Sequence, residues 1–224
     1  TLGQPAVESF FRMAPLLLDS MMVKDRAGAI RASVSHYGAW AWDTLVHCEA
    51  HLLAGQIEFV RDVLDLYHRT ADPEKGIGHA FNPEMTKLHM NQPPAAQGLY
   101  VYALYIYFAH TGDRKTLRKL YPFVTLILKR ALQSRGRDGL FEGTSLFPDF
   151  PRYAGQTGND ISTFNNSIIY QAARAMEHIA GWMDDAATAR TAREAWQALE
   201  PSFRHRLWDK RRGFWVDSID SKTL

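Results

Sequence analysis

The sequence predicts an all-α fold in which helical hairpins coil into a toroid. Three observations predict it. Apolar residues recur at three- and four-residue steps over most of the 224 residues. Strand-like alternation is scarce. Glycines recur at matching places between the helical stretches.

Seven stretches carry the helical period. Val7, Phe10, Phe11, Ala14, Leu17, Leu18 and Met21 trace the first. Residues 43–54 and 56–70 read as the second and third. Residues 95–110 are apolar nearly all round, which predicts a helix buried on every side. Residues 113–135 carry Leu117, Leu120, Val124, Ile127, Leu128 and Ala131 on one stripe. Residues 162–183 carry Phe164, Ile168, Ala172, Met176 and Ile179, with Asp160 or Ser162 as the cap. Residues 186–208 carry Ala192, Ala195, Leu199, Phe203 and Leu207, and Pro201 is expected to kink or split this helix.

The glycines divide these helices into hairpins. Gly55, Gly112 and Gly181 each follow an apolar helix and open into an amphipathic one. Gly76, Gly139 and Gly213 follow the amphipathic partner. Glycine is favoured just past a helix end because it enters the left-handed region cheaply. The unit is an inner helix, a tight turn, an outer helix and a glycine turn, repeated three times. All tight turns then lie at one end of the array. The long connections, residues 25–42, 77–94 and 140–161, lie at the other, and connections of this length are usually functional or disordered. These are rich in aromatic and acidic residues, including Phe147, Phe150 and Asp160, so they are expected to line a shared pocket rather than to be disordered.

Composition narrows the function. Formal net charge is +2 and the richest basic stretch, "HRLWDKRR", is short, so no nucleic-acid partner is expected. The run "LYVYALYIYFA" is too short to span a bilayer, and no membrane role is expected. The single cysteine, Cys48, allows no intramolecular disulfide and reads as a small core residue. His47 and His51 stand four apart on one helix, but "HCEAH" lacks the glutamate directly after the first histidine that zinc proteases need. Their reading is packing, and neither metal nor cofactor is expected. "GQTG" lacks the lysine of a phosphate loop. Cytoplasm and periplasm remain equally open as compartments. A start without Met and an end in "WVDSIDSKTL" read as a processed product or a fragment.

Four motifs occur in order: "YGAWAWDT" (37–44), "NQPPAAQGLYVYALYIYFAHTGD" (91–113), "DGLFEGTSLFPDFPR" (138–152) and "STFNNSIIYQAARAMEHIA" (162–180). Together they resemble the catalytic (α/α)6 barrel of six-hairpin glycosidases, nearest to glycoside hydrolase family 63, with trehalases and α-L-rhamnosidases as relatives. The resemblance implies one α-helical domain over residues 1–224, the N-terminal half or more of a twelve-helix barrel. By the same resemblance, Trp42 and Asp43 match a pair that lines the sugar pocket, and Gln92 starts the next inner helix near it. Asp149 stands where that family carries its general acid, although the block here reads Asp-Phe-Pro-Arg and ends in Arg152. The catalytic base is expected in the later part of the barrel, outside this chain.

The residue types fit that chemistry. Glycoside hydrolysis generally uses two carboxyl groups, one donating a proton to the leaving oxygen. Asp149 lies between Phe147 and Phe150, and desolvation by aromatic neighbours raises a carboxyl pKa toward neutrality. A turn aspartate in a proline-rich loop is the alternative. Tyr37, Trp40 and Trp42 are suited to stacking on sugar faces, and Asp43, Asn165 and Arg152 to binding hydroxyls. Asp43 as an N-cap and the tryptophans as core are the plainer readings. Asn166, beside Asn165, suits either the pocket or a supporting hydrogen bond. Glu142 is a reserve carboxylate. The expected partner is an oligosaccharide or glycoside, together with the remainder of the barrel or a second copy. Other sugar enzymes on this toroid (epimerase, lyase or phosphorylase) and a non-catalytic sugar-binding or scaffold module are the rivals.

Overall fold

Each helical period closes into a helix, and the helices pair as hairpins. The computed structural model describes residues 5–21, 39–72, 76–78, 80–81, 88–89, 94–136, 138–142 and 161–220. The helices in that set are α1 (Pro5–Met21), α2 (Ala41–Leu53), α3 (Ile57–Thr70), α4 (Pro94–Thr111), α5 (Arg114–Leu132), α6 (Thr163–Trp182) and α7 (Ala186–Arg206). Helices α2/α3, α4/α5 and α6/α7 are the three hairpins, and α4 packs between α2 and α6. Their facing residues form a main core that includes Leu45, Val63, Leu64, Tyr100, Leu104, Leu120, Val124 and Met176, and a smaller second cluster gathers Leu140, Phe141, Ile161, Ile169, Leu199 and Leu207. Truncating one such buried leucine to alanine costs about 2–5 kcal/mol. None of the described helices is long and apolar enough to cross a membrane.

Two tight turns carry the same cap. In "DRKT", Asp113 accepts from the backbone N–H of Thr116 at 3.0 Å and from its hydroxyl at 2.6 Å. In "DAAT", Asp185 accepts from the same two groups of Thr188, at 2.9 and 2.7 Å. A tyrosine hydroxyl completes each cap: Tyr107 on Asp113 and Tyr121 on Asp185. Tyr121 belongs to α5, so the second cap also ties neighbouring hairpins together.

Five of the six glycines singled out from sequence adopt positive φ: Gly55, Gly76, Gly112, Gly139 and Gly213. Gly181 does not. Helix α6 runs on to Trp182, and Asp184 takes the left-handed conformation with φ 58°. The Asp185 N–H then closes on the Ala180 carbonyl at 2.9 Å, a bond that commonly terminates a helix at a left-handed residue. Aspartate tolerates that region better than most residues.

Three further expectations change. Pro201 does not split α7, which continues to Arg206. Leu199 is fully buried on one side of the proline, and the Ser202 hydroxyl donates to the Asp138 carbonyl on the other. Helix α4 is not buried all round, because Tyr102, Tyr105 and Ile106 are half-exposed. Tyrosine counts as apolar in the pattern yet tolerates a wet face. The stripe on α1 is not buried, with Phe10, Phe11 and Leu17 each more than half exposed.

Short two-residue strands gather where the long connections run. Strands β1 (Ala39–Trp40), β2 (Ala80–Phe81) and β3 (Leu88–His89) form one antiparallel sheet. Strand β4 (Ile161–Ser162) pairs with β7 (Ser218–Ile219), and β5 (Trp208–Asp209) pairs with β6 (Phe214–Trp215). The chain after α7 thus returns to the start of α6, where the Asp217 carbonyl accepts from the Thr163 N–H at 3.0 Å.

Two tests follow from this packing. Hydrogen bonds from Thr116 hold the Asp113 carboxyl down at about 2, below its ordinary 3.8. A carboxyl depressed on folding stabilises fully above its unfolded value and loses that contribution as pH falls through the folded one. Asp113→Ala should therefore cost about 1 kcal/mol in urea unfolding at neutral pH. The gap from wild type should narrow as the pH drops from the ordinary 3.8 toward about 2. Burial pushes the Cys48 thiol up to about 12, and its Sγ donates to the Thr44 carbonyl. A thiol-modifying disulfide reagent should label Cys48 only in denaturant, and rapid labelling of the native protein would contradict this core placement.

Candidate functional site

The inner helices begin with matched residues. The second residue of α2 is Trp42 and the second of α6 is Phe164, and their rings meet edge to face with centroids 4.7 Å apart. The connection end therefore converges between the first and third hairpins. Asp43 and Asn165 follow directly on the two helices.

Each residue expected at the site has a definite setting where it is described. Trp40 is half-buried in β1, with its backbone opposite Ala80. It occupies the N-cap position of α2 and makes no side-chain capping bond. Helix α2 starts at Ala41, so Asp43 is its third residue and not its cap. It is half-buried in the first turn, where a negative charge is favoured by the helix dipole. Burial pushes the Tyr67 hydroxyl well up, and the Asp43 charge adds to that rise. Asn165 is 1% exposed, and its N–H donates to the Ser162 hydroxyl at 2.9 Å, which makes Ser162, not Asp160, the cap of α6. Glu142 is exposed; its N–H donates to the Ser134 carbonyl, and its carboxylate folds back over Gly136, where a Cβ would collide with it. Tyr37, Gln92, Asp149 and Arg152 lie outside the described residues.

Asn166 takes the supporting role of its two sequence readings. It is fully buried and hydrogen-bonded to both backbone groups of Phe141. Gln97 makes the same pair of bonds to Ile77, and sequence reasoning passed over it. Both amides are the fourth residue of an inner helix, a correspondence that emerges only with the helix starts at Pro94 and Thr163. His51 is packed against Phe59 with ring centroids 5.0 Å apart, and its Nδ1 pairs with Gln56. Burial lowers its pKa and favours the neutral ring. No group of three or more His, Cys, Asp or Glu among the described residues could hold a metal. A cleft of about 280 Å³ opens between α6, α7 and β6, lined by Tyr170, Arg174, Glu200, Phe203, Arg204 and Trp215 among others. It contains none of the residues singled out as sugar contacts.

The pattern of the bacterial α-L-rhamnosidase six-hairpin glycosidase domain matches residues 39–224. The chain belongs to that family. This rhamnosidase-type domain shares its fold with a rhamnosidase from Klebsiella oxytoca solved with rhamnose bound, at 16% identity and a TM-score of 0.73, covering 97% of this chain and 42% of that one. It is similar to a D-mannose isomerase at 11% identity and a TM-score of 0.70, covering 100% of this chain and 60% of the other. It is also similar to a family 63 mannosylglycerate hydrolase from Thermus thermophilus, at 13% identity and a TM-score of 0.65, covering 93% and 69%. At these identities the likeness is one of fold. The chain spans less than half of the Klebsiella rhamnosidase. No curated protein matches the sequence.

The six-hairpin superfamily anticipated from the four motifs is therefore the right one, and α-L-rhamnosidase is the member whose pattern fits. Within this rhamnosidase-type domain, the Trp42–Phe164 contact can be measured. A double-mutant cycle of Trp42→Ala and Phe164→Ala should return a coupling of about 0.5–1.5 kcal/mol in urea unfolding. Strict additivity would mean that the rings do not meet in solution.

Proposed function

We propose that this domain belongs to a glycoside hydrolase that removes α-L-rhamnosyl units by an inverting general acid/base mechanism. The match of residues 39–224 to the rhamnosidase hairpin domain carries the reading. The ring pair of Trp42 and Phe164 at the connection end supports it, because flat aromatic faces suit the apolar face of a deoxy sugar.

The roles rest on the resemblance to six-hairpin glycosidases together with the chemistry of the residue types. Asp149 is the proton donor to the leaving oxygen. Tyr37, Trp40 and Trp42 stack on the sugar, while Asp43, Gln92, Arg152, Asn165 and Glu142 bind its hydroxyls or orient those that do. Inversion needs a second carboxylate about 6.5–9.5 Å from the first, with a water between them. That base comes from the later part of the barrel. The whole enzyme is therefore the unit of activity, and this domain contributes the acid and part of the sugar pocket.

A sugar isomerase or epimerase is the second reading, favoured by the likeness to the D-mannose isomerase fold. Products separate the two, since hydrolysis releases free rhamnose and an aglycone whereas isomerisation releases nothing.

Asp149→Asn in the full-length enzyme should lower kcat on an alkyl rhamnoside by about 10²–10⁴, with KM little changed. An aryl rhamnoside with an acidic leaving group needs less protonation and should lose much less. Near-normal turnover of both substrates would remove Asp149 from the acid role.

A further inference from the structure

The fourth residue of each inner helix is a buried polar side chain: Thr44 on α2, Gln97 on α4 and Asn166 on α6. Two of these make the same contact. Gln97 Oε1 accepts from the Ile77 N–H at 2.9 Å, and Gln97 Nε2 donates to the Ile77 carbonyl at 2.7 Å. Asn166 Oδ1 accepts from the Phe141 N–H at 2.7 Å, and Asn166 Nδ2 donates to the Phe141 carbonyl at 3.0 Å. Asn166 Nδ2 also donates to the Ser162 carbonyl at 2.8 Å, which ties the start of α6 to the same amide. A carboxamide here stands in for the edge of a neighbouring strand.

The clamped residues correspond as well. Ile77 and Phe141 are 0% and 1% exposed. Each comes shortly after a left-handed glycine, Gly76 at φ +84° and Gly139 at φ +87°. Each marks the point where the chain leaves an outer-helix turn and enters a long connection. A side chain at Gly76 would run into the Gln97 amide. A carboxamide offers both an acceptor and a donor in one plane. An apolar replacement strands two buried main-chain groups.

We infer that Gln97 and Asn166 are positioning residues for sugar binding: they hold the roots of two long connections against the starts of α4 and α6 and so fix the shape of the connection end without touching the ligand. This rests on the reading that sugar binds at that end. The two clamps act separately, Gln97 on the connection after α3 and Asn166 on the one after α5.

The test compares Asn166→Leu, the milder Asn166→Ser and Gln97→Leu with Asp185→Asn, which weakens a cap at the opposite end. Backbone hydrogen exchange and L-rhamnose affinity are the readouts, on the full-length enzyme. Asn166→Leu should speed exchange at Phe141 by about tenfold or more and leave Ile77 nearly unchanged, and Gln97→Leu should do the reverse. Either clamp variant should weaken rhamnose binding by about tenfold. Asp185→Asn should lower Tm but leave that affinity within about twofold. If Asn166→Leu does not fold, Asn166→Ser is uncharged but too short to bridge both Phe141 groups, and it should show the same pattern at smaller size. Unchanged exchange at Phe141, or affinity losses no greater than for Asp185→Asn, would overturn the inference. If the unaltered enzyme binds no rhamnose, the proposed function fails, while exchange at Phe141 and Ile77 still decides whether the clamps exist in solution.

Discussion

The arrangement depends on how closely α4 can approach α6, and Gly98 makes that approach possible. A Cβ at this position would lie 2.8 Å from Ile168 Cγ2 and 3.3 Å from Ala172 Cβ. At such distances a neighbour has to move, and both neighbours belong to a helix fixed in the core. With the two backbones this near, Gln97 and Asn166 sit in the first turn of their helices and reach the connections that they grip. Ala172, Ala175 and Ala180 on α6 are likewise buried although each offers only a methyl group.

The two ends of the array are built differently because their turns have different lengths. At the short end, aspartate caps satisfy N–H groups in the first turns of α5 and α7, and tyrosine hydroxyls complete them. These caps are mostly local, since the aspartate and its threonine stand three residues apart. At the connection end the chain travels far between helices, so its main-chain groups need partners from outside their own turn. Carboxamides and two-residue strand pairs supply them.

The helices and their pairing were legible in the sequence because period and glycine both report on local conformation. The pairing of Trp42 with Phe164 was foreshadowed only in general terms, since it joins residues more than a hundred positions apart. Ser162 was readable as a cap by its place before an apolar helix. Asp43 misled, because the first turn of α2 begins before the aspartate that resembles a cap. Gln97 was invisible for a simple reason: a single glutamine inside an apolar run has no period, and its partner Ile77 is fixed by tertiary contact. The short strands were hidden likewise, as two residues cannot show alternation.

The exchange of roles between Gly181 and Asp184 has a consequence for comparing hairpins. A ruler laid along the chain from glycine to glycine would set the third repeat three residues early, about 4.5 Å along a helix axis. The D-x-x-T stretches at 113–116 and 185–188 register the second and third repeats correctly. Superposing the second and third hairpins on those threonines would bring their inner helices into step, and differences in length would then fall in the wide connections, the segments that tolerate insertion best.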